Sequence, residues 1–154
     1  MRMLLFACIA LVAVCPTASR ADDDAKKKAE LKWARGVADD FLAAMKRGET
    51  ESAVGLLTAE YAKLIAGKGS AAAGLDRLLG TTAFTFEKAT VTDESISPDR
   101  DEVQLKGELV RASNDTTESV SAFVLRVVKE KETGRWRIGF VGTEASVSRP
   151  KPKK

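Results

Sequence analysis

The chain has 154 residues, a formal net charge of +3 and no histidine, and these features exclude several classes of protein. One hydrophobic core is enough for this length, and the nearly balanced charge gives no electrostatic footprint for nucleic acid. Without histidine the chain cannot form a Ser-His-Asp triad, a Cys-His dyad or the usual copper and haem sites. We therefore expect no catalytic residues, no metal and no cofactor.

The first 21 residues have the order of a secretory signal peptide. Arg2 is followed by an apolar run over residues 3–14, and Ser19-Arg20-Ala21 places small residues just before Asp22-Asp23-Asp24. The apolar run is too short to cross a bilayer as a helix. The sequence predicts cleavage after Ala21 and a secreted or periplasmic protein with no transmembrane anchor after cleavage.

Both cysteines, Cys8 and Cys15, lie within the predicted signal peptide. The mature chain would then have no thiol, although export leads to a compartment where disulfides form. Residues 12–15 are similar to a bacterial lipobox, but Val14 stands where a small residue is normally required. We therefore favour a plain signal peptide over a lipoprotein.

Amphipathic helices are predicted for the first part of the mature chain. Apolar residues recur at steps of three and four over residues 29–47 and again over residues 49–66, where Thr50 is a plausible N-cap. Ser70 is the predicted cap of a brief helical turn that ends at Gly80. The short link between the first two predicted helices makes them neighbours.

After Gly80 apolar residues recur at every second position, and turn residues come at hairpin spacing. This pattern is typical of an antiparallel meander. The predicted strands cover residues 84–93, 102–112, 118–129 and 135–143. At the two ends we expect a flexible charged segment over residues 22–28 and a disordered basic tail over residues 147–154, which leaves a domain of residues 29–146.

Helices followed by a meander predict an α+β fold, in which N-terminal helices pack on a curved antiparallel sheet. The Phe41 to Met45 end of the first helix, the helix around Tyr61 and the closing strand over residues 134–138 resemble the nuclear transport factor 2-like superfamily. The resemblance covers residues 29–143. The cystatin-like fold, which has one helix against a sheet, fits less well because the sequence predicts two or three helices. The resemblance implies that the helices and the bent sheet enclose a conical pocket.

That pocket predicts a small-ligand-binding or accessory module without catalytic activity, whose ligand is a small apolar or aromatic molecule. The residues expected to line the pocket are Phe41, Tyr61, Phe86, Glu108, Phe123 and Trp136. The rings of Trp33 and Trp136 also suggest that a ligand stacks on them. In the alternative interpretation, Trp136 packs in the core and Trp33 is partly exposed to solvent.

A pocket isomerase or dehydratase is the enzymatic alternative. The resemblance implies that such enzymes use histidine, or aspartate with tyrosine, and only the second option exists here. Tyr61, the sole tyrosine, could pair with Glu87 or Glu108 for proton transfer. We favour the other interpretation, in which Tyr61 fills the apolar stripe of its helix.

The predicted third strand is apolar on both faces, which indicates that other parts of the protein, or a partner, pack against both faces. Phe123, Leu125 and Val127 account for the face toward the helices. The opposite face predicts a homodimer interface that includes Val120, Val124, Arg126 and Val128. In the alternative, the basic tail or the N-terminal segment lies over this face in a monomer. The predicted core contains Phe41, Leu57, Tyr61, Phe123, Trp136, Ile138 and Phe140.

Overall fold

The computed structural model describes residues 17–79, 86–112 and 116–151. In these residues, helices precede an antiparallel sheet, so the predicted α+β class is confirmed. The helices are α1 (Thr17–Lys46), α2 (Thr50–Val54), α3 (Ala59–Ala66) and α4 (Ala71–Leu79). The strands are β1 (Lys88–Ile96), β2 (Glu102–Ala112), β3 (Thr117–Lys129), β4 (Trp136–Thr143) and β5 (Val147–Pro150). The apolar run of the predicted signal peptide lies outside the described residues, and so does Gly80, the predicted end of the last helix.

Helix α1 presents its apolar stripe to the sheet. Ala34, Ala38, Phe41 and Met45 recur at steps of three and four and are buried, as the periodicity predicted. The helix begins earlier than expected and includes residues 22–28, for which we expected a flexible segment. Alanine and lysine favour a helix there, and the Asp23 carboxylate lies 3.0 Å from the Arg100 guanidinium. The predicted cleavage point after Ala21 therefore falls within α1.

The single helix predicted over residues 49–66 is divided into α2 and α3. Between them the backbone pairs with β4: Ile138 N donates to Leu56 O, and Thr58 N donates to Ile138 O, both at 2.9 Å. The Thr58 hydroxyl then accepts a hydrogen bond from Tyr61 N at 3.1 Å and caps α3. Pairing with the sheet edge thus replaces helical hydrogen bonds that the sequence pattern alone would continue.

Helices α3 and α4 approach each other closely at Gly74. A Cβ atom at this position would lie 2.0 Å from the carbonyl oxygen of Ile65, so only glycine fits. The predicted cap at Ser70 is present, because its hydroxyl accepts a hydrogen bond from Ala73 N at 3.1 Å.

The sheet has the strand order β1-β2-β3-β4, and every neighbouring pair is antiparallel. Strand β2 has the predicted bounds, and β3 and β4 agree to within one residue. Strand β1 ends at Ile96, three residues later than expected. Val103, Leu105 and Leu109 of β2 and Phe123, Leu125 and Val127 of β3 are buried on the face that carries the core.

A bulge in β4 reverses the predicted direction of one side chain. Arg126 of β3 is opposite Phe140, but Val127 is opposite Ile138, so Gly139 is an extra residue. Ile138 is buried in the core, whereas Phe140 is half-buried on the same face as Arg126. The expectation that Phe140 shares the core face of Ile138 is therefore wrong. The other six predicted core residues are buried, which confirms their placement.

Residues 147–150 of the predicted disordered tail form strand β5, which pairs with β3 from Thr117 to Val120. The Arg149 guanidinium lies 2.7 Å from the Glu118 carboxylate and 3.1 Å from that of Glu108. Backbone pairing and these two ion pairs attach residues 147–150 to the sheet. None of the described helices combines the length and the apolar character needed to cross a bilayer.

Candidate functional site

Five of the six residues predicted to line a pocket are buried in the hydrophobic core, and the sixth is Glu108. Phe41 and Phe123 are buried in the core, and Phe86 is buried beside a cleft between α1 and β1. Glu108 lies on β2 and binds Arg149. Trp136 is the member of the set that lines the large groove described below. These residues share the core, and Tyr61, Phe86 and Trp136 each line a different cleft of the described residues.

Tyr61 has a structural role in the observed fold. Its hydroxyl donates to Val141 O at 3.1 Å and accepts from Val141 N at 3.0 Å. These two bonds satisfy backbone groups of β4 on its open side, where another strand would otherwise pair. Burial raises the pKa of the Tyr61 hydroxyl, while the hydrogen bond to Val141 and the charge of Arg126 act in the opposite direction. The hydroxyl is thus neutral at ordinary pH and already bonded.

A large apolar groove lies between the middle of α1 and the β3–β4 hairpin. Its volume is about 610 Å³, which is in the usual range for small-molecule sites. Helix α1 contributes Trp33 and Val37, the α2–α3 link contributes Leu56, and β4 contributes Trp136. We call this space the tryptophan groove, because both tryptophans of the chain line it.

The two tryptophans differ in exposure. Trp33 has 70% of its surface exposed, whereas Trp136 has only 9%. Trp33 stands on the solvent side of α1, so its large ring contributes little to the core of the fold. An exposed indole beside an apolar groove is a feature of binding surfaces, because a ligand can cover it.

Trp136 is held in place by a short polar network. Its Nε1 donates to Glu30 Oε2 at 3.1 Å, and Lys129 Nζ donates to Glu30 Oε1 at 2.8 Å. The Lys129 ammonium also lies 5.9 Å from the centre of the Trp136 ring. Glu30 thereby joins α1 to β3 and β4, and the Trp136 wall of the groove has a fixed orientation before any ligand arrives.

The outer face of the sheet contains the predicted interface residues. Val120, Val124 and Val128 are half-buried, and Arg126 is exposed with its guanidinium 4.7 Å from the centre of the Phe140 ring. Arg149 of β5 binds carboxylates of both β2 and β3 on this side of the sheet. Part of the predicted basic tail therefore contributes to the cover of the strand.

Sequence reasoning identified Trp136 as a pocket residue and Trp33 as partly exposed, but it did not place them in one groove. Glu30, Lys129 and Leu56 were missed, because their meeting depends on where α1 crosses the hairpin. In the described parts of the chain, no group of three or more acidic or cysteine side chains is arranged to hold a metal ion. No protein-family model matches the chain, and a search of curated proteins finds no significant match.

Proposed function

We propose that the protein is an exported small-ligand-binding or accessory module without catalytic activity, and that it binds its ligand in the tryptophan groove. The observation that carries the proposal is the exposed Trp33 beside the oriented Trp136. A small apolar or aromatic molecule would cover the Trp33 ring and contact Val37 and Leu56. Because Trp136 is already fixed by Glu30, little conformational entropy would be lost at that wall.

Membership of the nuclear transport factor 2-like superfamily and export through the N-terminal 21 residues belong to the same proposal. The order of helices followed by an antiparallel sheet supports the first, and the residue order before Asp22 supports the second. The pocket that the resemblance implies is assigned here to the tryptophan groove. Phe41 and Phe123 are buried between α1 and the sheet, where a deeper conical pocket would lie.

Titration with the neutral aromatic probe N-phenyl-1-naphthylamine tests the proposed function. We expect saturable binding that changes tryptophan fluorescence, because both tryptophans of the chain line the groove. Trp33→Ala should weaken binding about tenfold, which is the loss expected for removing one aromatic contact. The folded state should keep its stability, because the Trp33 ring is exposed.

Leu64→Ala is the matched control, since Leu64 is 76% exposed on α3 and does not line the groove. This variant should bind the probe like the unmodified protein. Absence of saturable binding, or equal affinity of the Trp33→Ala and unmodified proteins, would contradict the proposed site.

We propose, secondly, that the outer sheet face pairs with a second copy of the chain. The row of half-buried valines on β3 and the exposed Val147 of β5 support this proposal. Val124→Asp should convert a dimer to a monomer in light scattering at tens of micromolar protein. A monomeric mass for the unmodified protein would contradict the proposal.

A further inference from the structure

We infer that the ligand of the tryptophan groove is an amphipathic anion, with an apolar aromatic body and one carboxylate, sulfonate or phosphate group. This inference rests on the proposed function, because it assigns a chemical class to the ligand of the same groove. The aromatic body would contact Trp33 and Trp136. The anionic group would bind Arg135 at the end of the β3–β4 turn.

The first support is the balance of charge around the groove. Its ionisable lining residues are one acid, Glu30, and three bases, Lys129, Arg135 and Arg137. Both oxygens of Glu30 already accept hydrogen bonds, one from Lys129 and one from Trp136. A cationic ligand would therefore have to displace an internal partner of Glu30, whereas an anionic ligand meets an excess of positive charge.

The second support is that one of the three bases has no partner. Lys129 is bound to Glu30, and Arg137 donates to the carbonyl of Gly55 and lies 3.8 Å from the Glu130 carboxylate. The Arg135 side chain is exposed and forms no hydrogen bond or ion pair with any residue in 17–79, 86–112 or 116–151. Its guanidinium is thus available to an external group.

The third support is that the backbone of Arg135 is fixed although its side chain is free. Arg135 N donates to the Thr133 hydroxyl at 3.2 Å, and Arg135 O accepts from Glu130 N at 2.8 Å. The turn therefore keeps the guanidinium near the mouth of the groove. A guanidinium offers two parallel N–H donors to a carboxylate, sulfonate or phosphate, a geometry that a lone ammonium lacks.

A pair of probes that differ in charge tests the inference. 8-Anilinonaphthalene-1-sulfonate carries a sulfonate, and N-phenyl-1-naphthylamine has the same ring system without it. We expect Arg135→Gln to weaken binding of the sulfonate about tenfold, the effect of losing one charge-assisted contact, and to leave binding of the neutral probe unchanged. Arg135→Lys keeps the charge and should retain part of the affinity for the sulfonate.

Lys63→Gln is the matched control, because it removes one positive charge from an exposed position on α3 that does not line the groove. It should leave the affinity for both probes unchanged. If Arg135→Gln affects neither probe, or weakens both equally, the inferred anionic class is overturned, while the proposed function stands as long as binding of the neutral probe depends on Trp33. If neither probe binds in a Trp33-dependent way, both the inference and the proposed function are overturned.

Discussion

Phe123→Ala is expected to lower the free energy of unfolding by about 3–5 kcal/mol, whereas Phe140→Ala should lower it by only about 1 kcal/mol. Phe123 is 2% exposed and fills the space between β3 and the helices. Its ring also lies over Gly107, where an added Cβ would come within 2.6 Å of the ring. Removing the ring would leave a cavity that glycine cannot fill.

Phe140 is the matched control because it has the same side chain on the opposite face of the same sheet. It is half-buried, and its ring lies beside Arg126 and Tyr61 at the margin of the core. Urea denaturation of both variants, with the same linear extrapolation, measures the difference. Equal losses of stability would show that the two rings share one environment, contrary to the bulge at Gly139.

Gly74→Ala is expected to destabilise the fold by about 3 kcal/mol, at the upper end of the usual effect of overpacking. The added methyl group would overlap the backbone of Ile65, and a backbone carbonyl cannot move aside as a flexible side chain can. Helices α3 and α4 would have to separate. Because α3 carries Tyr61, the hydrogen bonds to β4 would also be disturbed.

Gly36→Ala provides the control for helix propensity. Gly36 lies on the exposed side of α1, and a Cβ at this position has no other atom within 4 Å. The same substitution should therefore stabilise the protein by about 0.5–1 kcal/mol. Thermal unfolding followed by circular dichroism compares the two variants. A neutral or stabilising effect of Gly74→Ala would contradict the close contact of α3 and α4.

The parts of the fold that the sequence predicted correctly are those in which apolar residues recur with an uninterrupted period. The stripe of α1 that includes Phe41 recurs at helical spacing, and β2 alternates between the core and the outer face from Glu102 to Val110. In both, local geometry alone decides which side chains face inward. Isolated glycines within such patterns, Gly55 and Gly139, stand where the elements depart from the prediction.

The departures depend on partners that are distant in the chain. The helix over residues 49–66 is interrupted because its middle pairs with Ile138, and residues 147–150 form a strand because β3 offers an open edge. The tryptophan groove likewise depends on residues that are distant in the chain. Trp33 and Trp136 each had a local signal, but their meeting depends on how α1 crosses the β3–β4 hairpin, which no local pattern encodes.

Nuclear magnetic resonance of the two tryptophan indole N–H groups tests the central claim most directly. The chain has two tryptophans, so a ¹⁵N-labelled sample should give two side-chain indole signals, which Trp33→Ala assigns. On titration with N-phenyl-1-naphthylamine we expect both signals to shift and to saturate with one dissociation constant. Binding at saturation with both indole signals unmoved would contradict a ligand site in the tryptophan groove.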